Sequence, residues 1–153
     1  MATKSKKSTV RKISSKITKS KRTKILCVSH KEDADGISSA ALIKQAFGGD
    51  TILVDYPGMM DELEALRNDV KLKKLFICDV GLNKQTNDSF VDLLTELRKK
   101  RISVTYVDHH DIDPKVATKL KKIKVNLIHD ISECTAVLVY AAFKKKLSEH
   151  STF

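Results

Sequence analysis

Residues 25–47 read I-L-C-V-S-H-K-E-D-A-D-G-I-S-S-A-A-L-I-K-Q-A-F. Ile25–Ser29 is a short apolar run of strand length, and Ile37–Phe47 is rich in Ala and Leu with a helical period. Between them lie His30, Asp33 and Asp35, where the chain leaves one element for the next. A strand, an acidic turn and a helix are the unit, and the rest of the chain repeats it.

Thr51–Asp55 is the second apolar run, followed by Met60, Leu63, Leu66 and Val70 at helical spacing. Leu75–Val80 is the third strand, with Phe90, Leu93, Leu94 and Leu97 as the next helix stripe. That stripe ends in Lys99, Lys100 and Arg101, which suit the negative end of a helix. Ile102–Asp108 is the fourth strand, and Pro114 opens a short helix to about Lys122. Val125–His129 is the fifth strand, and Thr135–Leu147 the last helix. Strands apolar throughout, each followed by a helix, predict an α/β fold: an open, doubly wound, mainly parallel five-stranded sheet with helices on both faces. Five units are too few for an eight-fold barrel.

The chain has 153 residues, 41% hydrophobic and 31% charged, enough for one domain with a core. No apolar run reaches the ~20 residues of a membrane span, and no apolar segment follows the basic start as in a secretory signal. Three cysteines argue against a disulfide framework and for a reducing, cytoplasmic setting. Cys27 and Cys78 read as small hydrophobes of core strands, and Cys134 lacks a second soft ligand.

The net charge of +10 is not spread evenly. Residues 1–24 hold ten Lys/Arg, nine Ser/Thr and no acid, whereas residues 25–153 hold 19 basic and 19 acidic groups. The expected domains are therefore a disordered basic tail, 1–24, and a folded unit, 25–153. The tail reads either as a solvated arm or as an electrostatic arm for nucleic acid, with Lys12, Lys16, Lys19, Lys21 and Arg22 as contacts. A targeting segment fits less well, because the stretch is rich in Lys where transit peptides favour Arg.

Ligands of an open parallel sheet bind outside the carboxyl ends of its strands. His30, Asp33 and Asp35 follow the first strand, Asp55 ends the second, and Asp79 lies near the end of the third. Asp108, His109 and His110 end the fourth, and His129-Asp130 the fifth. A single acid at a strand end is usually a cap or turn residue, and Asp55 before Tyr56-Pro57-Gly58 is read so, as are Asp111 and Asp113 before Pro114. Asp79 follows Phe76-Ile77-Cys78, where an unpaired acid is costly. Converging carboxylates need compensating charge. Asp33, Asp35, Asp79 and Asp130 would balance two divalent cations, and mixed oxygen and imidazole ligands suit Mn²⁺, or Mg²⁺, over structural zinc. Paired cations ~3.5–4 Å apart are common machinery for phosphoryl hydrolysis.

The set Ser29-His30-Lys31-Glu32-Asp33-Ala34-Asp35-Gly36, Cys78-Asp79, Asp108-His109-His110 and His129-Asp130 resembles the four ordered motifs of the DHH phosphoesterase family. That family includes RecJ-like exonucleases, nanoRNases, cyclic-dinucleotide phosphodiesterases and, more distantly, manganese-dependent pyrophosphatases. The resemblance spans residues 25 to about 147. It implies that His30, Asp33 and Asp79 hold one metal, and that Asp35, Asp79, His109 and Asp130 hold the other, Asp79 bridging. It implies that His110 contacts the scissile phosphate and that Asp108 orients an imidazole. Gly36 would let the chain turn tightly after Asp35.

The spacing from His30 to the acids varies among subfamilies and does not fix the substrate. Family enzymes usually continue into a glycine-rich, substrate-binding second domain, whereas all five glycines here lie at or before Gly81. A partner chain supplying that half is one expectation. The leading expectation is a metal-dependent phosphodiester hydrolase acting on single-stranded nucleic acid or short oligonucleotides. The alternatives are a catalytically weak or inactive nucleic-acid-binding scaffold on the same fold, a cyclic-dinucleotide phosphodiesterase or a pyrophosphatase. Five Phe, three Tyr and no Trp give no evident stacking platform for a strand.

Overall fold

A computed structural model describes residues 23–149. The basic positions Lys12, Lys16, Lys19, Lys21 and Arg22 lie outside the described residues, as does the rest of the expected tail up to residue 22. Five strands alternate with five α-helices: β1 Lys24–His30, α1 Ala34–Phe47, β2 Asp50–Val54, α2 Met59–Ala65, β3 Leu72–Cys78, α3 Asn87–Lys99, β4 Ser103–Asp108, α4 Pro114–Lys122, β5 Asn126–His129 and α5 Thr135–Glu149. The sheet runs β2-β1-β3-β4-β5, and every pairing is parallel. This is the expected α/β architecture.

Alternation along the strands splits the core in two. Leu75 and Ile77 of β3 join Leu26, Val28, Val104 and Tyr106 on the face covered by α2, α3 and α4, where Phe90, Leu93, Leu94 and Leu97 are buried. Phe76 and Cys78 join Cys27 and Val107 on the other face, against Ala40 and Ile43 of α1 and Val139 of α5. Because both faces are covered, the inner strands β1, β3 and β4 are buried along most of their length, whereas the edge strands β2 and β5 are only partly so.

Several element ends differ from the sequence reading. Helix α1 begins three residues before Ile37, because the Asp33 side chain accepts from Gly36 N and caps it. Gly36 therefore lies inside the helix, not in a turn after Asp35. Its missing side chain is needed for another reason: a Cβ there would stand 2.2 Å from the His30 carbonyl oxygen. Helix α2 stops at Ala65 and passes into a 3-10 turn, Leu66–Asn68, so Val70 is no part of its stripe and is 87% exposed. Strand β3 starts at Leu72 and ends at Cys78, leaving Asp79 just beyond it.

This strand order places a reversal of winding between β1 and β3. Crevices form at such switch points, outside the carboxyl ends of the strands. His30 is the last residue of β1 and Asp79 the first after β3, so both edges of that crevice carry a ligand-type side chain.

Candidate metal centre

Asp79 sits at the middle of the site. It is 1% exposed and holds a left-handed backbone, φ 55°, which costs a non-glycine residue ~1–2 kcal/mol. Its N–H donates to the Val107 carbonyl at 3.0 Å, so the pairing of β3 with β4 continues one residue past the strand and fixes the bend. Asp79 Oδ1 accepts from the Thr135 hydroxyl at 3.1 Å. Its Oδ2 is buried with no partner.

Two sets of metal-ligating atoms, each within 4.8 Å of one another, meet at this residue: His30, Asp33 and Asp79 form one, and Asp79, His109 and His110 the other. In the first, His30 Nδ1 lies 3.3 Å from Asp33 Oδ2, and His30 Nε2 is buried without a partner. Ser29 keeps His30 in place, since its buried hydroxyl lies 2.7 Å from the Gly36 carbonyl and 3.0 Å from that of Cys78. In the second, His109 Nε2 stands 3.5 Å from Asp79 Oδ1 and 3.7 Å from Asp35 Oδ2. The Asp35 carboxylate is anchored across the domain by the backbone N–H groups of Thr135 and Ala136, at 2.9 and 2.7 Å. These are orphan donors of the first turn of α5, and a carboxylate suits the positive end of a helix.

His110 has a different setting. Its Nδ1 lies 2.8 Å from Asp108 Oδ1, and its backbone N–H donates to Asp108 Oδ2 at 3.2 Å. Asp108 is fully buried, and the Tyr106 hydroxyl, which donates to the Val80 carbonyl at 2.7 Å, stands 3.2 Å from Oδ2. Gly81 closes the wall. A Cβ there would meet His110 Cγ at 3.0 Å and the Tyr56 hydroxyl at 3.1 Å. Tyr56 in turn accepts from Gly81 N at 3.3 Å and packs its ring 4.9 Å from that of His30.

Burial, and next the charge of Asp35, push the Asp79 carboxyl above the usual range. The Gly36 N–H holds Asp33 below it, against a smaller effect of burial. Burial pulls His110 down, but the hydrogen bond and charge of Asp108 together outweigh it, so the imidazole is pushed up. The protein's own residues thus leave Asp79 short of positive charge. Two orphaned buried atoms, His30 Nε2 and Asp79 Oδ2, belong to that same neighbourhood. A donor set of imidazoles and carboxylates with unsatisfied buried atoms fits divalent cations.

Of the expected ligands, the structure brings together His30, Asp33, Asp35, Asp79 and His109, with His110 and Asp108 beside them. It does not bring in Asp130: that side chain is exposed and accepts from the backbone N–H and hydroxyl of Ser132, at 2.9 and 2.6 Å. The neighbouring His129 Nε2 lies 2.6 Å from the His110 carbonyl. Asp55 ends in a turn as expected, its carbonyl accepting from Gly58 N, and its carboxylate pairs with Lys31. Asp113 caps α4. Sequence reasoning missed Thr135, Tyr106 and Tyr56. The Thr at the head of the last helix and the Tyr two residues before Asp108 carry no pattern of their own. Tyr56 belongs to a turn whose sequence signals nothing more than a turn.

No helix among the described residues is long and apolar enough to cross a membrane. No curated protein matches the chain in sequence. Among solved structures, an uncharacterized protein from Helicobacter pylori G27 superposes with a TM-score of 0.59 at 21% identity, over 80% of this chain and 37% of that one. The chain thus spans little more than a third of that protein's length. A CheY-like protein from Pseudomonas aeruginosa PAO1 gives a TM-score of 0.45 at 15% identity, over 82% of this chain and 94% of that one. The description "DHH family, N-terminal domain" matches residues 24–152, taking in every strand and helix among the described residues and both ligand sets. The chain belongs to the DHH family.

Proposed function

We propose that this domain is a metal-dependent phosphodiester hydrolase acting on single-stranded nucleic acid or short oligonucleotides, with two divalent cations, Mn²⁺ preferred, at the Asp79 centre. The family includes metal-dependent phosphoesterases, which supports the general class. One observation carries the reading: two ligand sets share Asp79, and buried atoms there have no protein partner.

When bound, the cations supply a nucleophile from water and offset charge on the attacked phosphate. The chain's residues do the rest. Asp79 belongs to both ligand sets, and Thr135 fixes the rotation of its carboxylate. Asp35, clamped by α5, presents a fixed negative group beside His109. Asp108 holds the proton of His110 on Nδ1 and favours the imidazolium, so that Nε2–H can donate to a phosphoryl oxygen or to the departing one. Asp130, on this reading, would leave Ser132 to join His109 when a cation is present. The segment that grips the rest of the substrate would come from a partner chain.

A hydrolysis panel with Mn²⁺ tests the proposal on single-stranded DNA, single-stranded RNA, a dinucleotide, a cyclic dinucleotide and pyrophosphate. The nucleic acids or the dinucleotide should be cleaved, and Asp79→Ala should abolish cleavage together with any Mn²⁺-dependent rise in Tm. A chain that binds no Mn²⁺ and cleaves nothing would instead be a scaffold on this fold.

A further inference from the structure

The edge of the sheet opposite the metal centre carries a cavity that the proposed chemistry does not use. Its volume is about 450 Å³, within the ~300–1,000 Å³ usual for ligand sites. It lies on the α1/α5 face, at the starts of β3, β4 and β5. Lys74 pairs in register with Ser103, and Thr105 with Asn126, so the floor comes from adjacent strands. Lys74 lies five positions before Asp79, about 17 Å at the usual strand rise.

Three phenylalanines distant in sequence meet at this cavity. Phe47 at the end of α1 and Phe143 of α5 are partly exposed, and their ring centroids stand 5.0 Å apart, edge to face. Phe76 of β3 is buried beneath them, 4.6 Å from Phe47. The ammonium groups of Lys74 and Lys146 lie over the Phe47 ring, at 4.8 and 5.4 Å from its centroid. Among the described residues, neither lysine has a carboxylate partner. Lys74 also lies 5.7 Å from the Phe76 centroid, and contacts of this kind are worth ~0.5–1 kcal/mol each at an exposed site and are readily exchanged for an anion.

From this arrangement we infer that the cavity is a seat for one nucleotide unit of a single-stranded nucleic acid, separate from the metal centre. Partly exposed rings offer a surface for a base, and every base has a face to stack. The two ammonium groups already at the rim reach a phosphate on either side. The Asn126 amide and Thr105 hydroxyl offer both donors and acceptors to a base edge. An acidic peptide would satisfy the lysines but leave the rings and the amide without use. The inference goes beyond the proposed hydrolysis and does not depend on it, since the seat needs no metal.

Binding of a dye-labelled oligodeoxythymidylate to the full chain in EDTA, followed by fluorescence anisotropy over a salt series, tests this with the metal centre silent. The Lys74→Gln/Lys146→Gln variant should bind about tenfold more weakly at low salt. Its plot of log K against log salt should be shallower by about 1.4, at ~0.7 for each phosphate of a single strand that is no longer neutralised. Phe143→Leu should weaken binding severalfold and leave that slope unchanged. Melting curves matching the parent's should accompany both variants. Unchanged affinity in the lysine variant overturns the inference. So does an effect of the lysines with none from Phe143→Leu, or equal competition by polyglutamate, because plain attraction between charges would then account for binding.

Discussion

Asp79 combines three things that ordinary surface acids lack: near-total burial, a left-handed backbone and an unpartnered oxygen. Strain of this kind persists only where the surroundings over-determine it, here through the Val107 carbonyl and the Thr135 hydroxyl. Removing the hydroxyl without changing the side chain's shape isolates its role. Thr135→Val should lower Mn²⁺ affinity about 10–100-fold, the usual cost of losing a group that orients a ligand. Calorimetric titration of the folded variant with Mn²⁺ checks it, and unchanged affinity would show that Asp79 is held by its backbone alone. Gly36 makes a second residue-scale case. A methyl group placed 2.2 Å from a backbone oxygen must push α1 from β1, so Gly36→Ala should destabilise the domain by about 3 kcal/mol, measured by urea unfolding. Asp33, Asp35 and Asp79 were legible in the sequence because each lies just past an apolar run, whereas Asp130 follows one too and turns away to Ser132. The residues that hold them were not, because a threonine or tyrosine acts here only through what the finished fold brings beside it.

At the scale of elements, an ion pair clamps the point where the chain joins the sheet. Lys24 Nζ lies 2.8 Å from Asp69 Oδ2, tying the first residue of β1 to the turn before β3. The hydrogen bond from Lys24, against a smaller effect of burial, holds the Asp69 carboxyl below the usual range. A carboxyl depressed on folding adds stability above its unfolded pKa, near 4, and loses it as pH falls through the lower folded value. Asp69→Asn should therefore cost about 1 kcal/mol at neutral pH, and the gap from the parent should narrow below pH 4. Paired unfolding curves across that range test it. Element order, type and number followed from the alternation of apolar runs. Element ends were harder to read where a side chain, not periodicity, sets the boundary. Asp33 starts α1 early by capping it, and the turn at Leu66–Asn68 cuts short a stripe that looked continuous to Val70.

Over the whole molecule, the parallel winding sorts chemistry by edge. Carboxylates and imidazoles gather where strands end and helices begin. Lys99, Lys121, Lys122 and Lys146 fall in the last turns of their helices, where they complement the helix dipoles. The near-neutral sum over residues 25–153 conceals this separation. The aromatic cluster was illegible for a similar reason, since Phe47, Phe76 and Phe143 are far apart in sequence and meet only when α1 and α5 pack on β3. The basic residues 1–22 precede the strand that begins at the lysine-rich edge. Deleting them should weaken retention of single-stranded nucleic acid steeply at low salt and little at high salt. Gel-shift assays at two salt concentrations decide this, and equal retention would leave the segment a solubilising arm.

The grip of Thr135 and Ala136 on Asp35 spans a hundred positions of chain. During synthesis on the ribosome, α1 emerges long before α5, and for all that interval Asp35 has no donors to orient it and Asp79 lacks its hydroxyl. High-affinity cation capture should therefore come late, after the final helix docks, so that loading with metal reports a finished fold and not a nascent one.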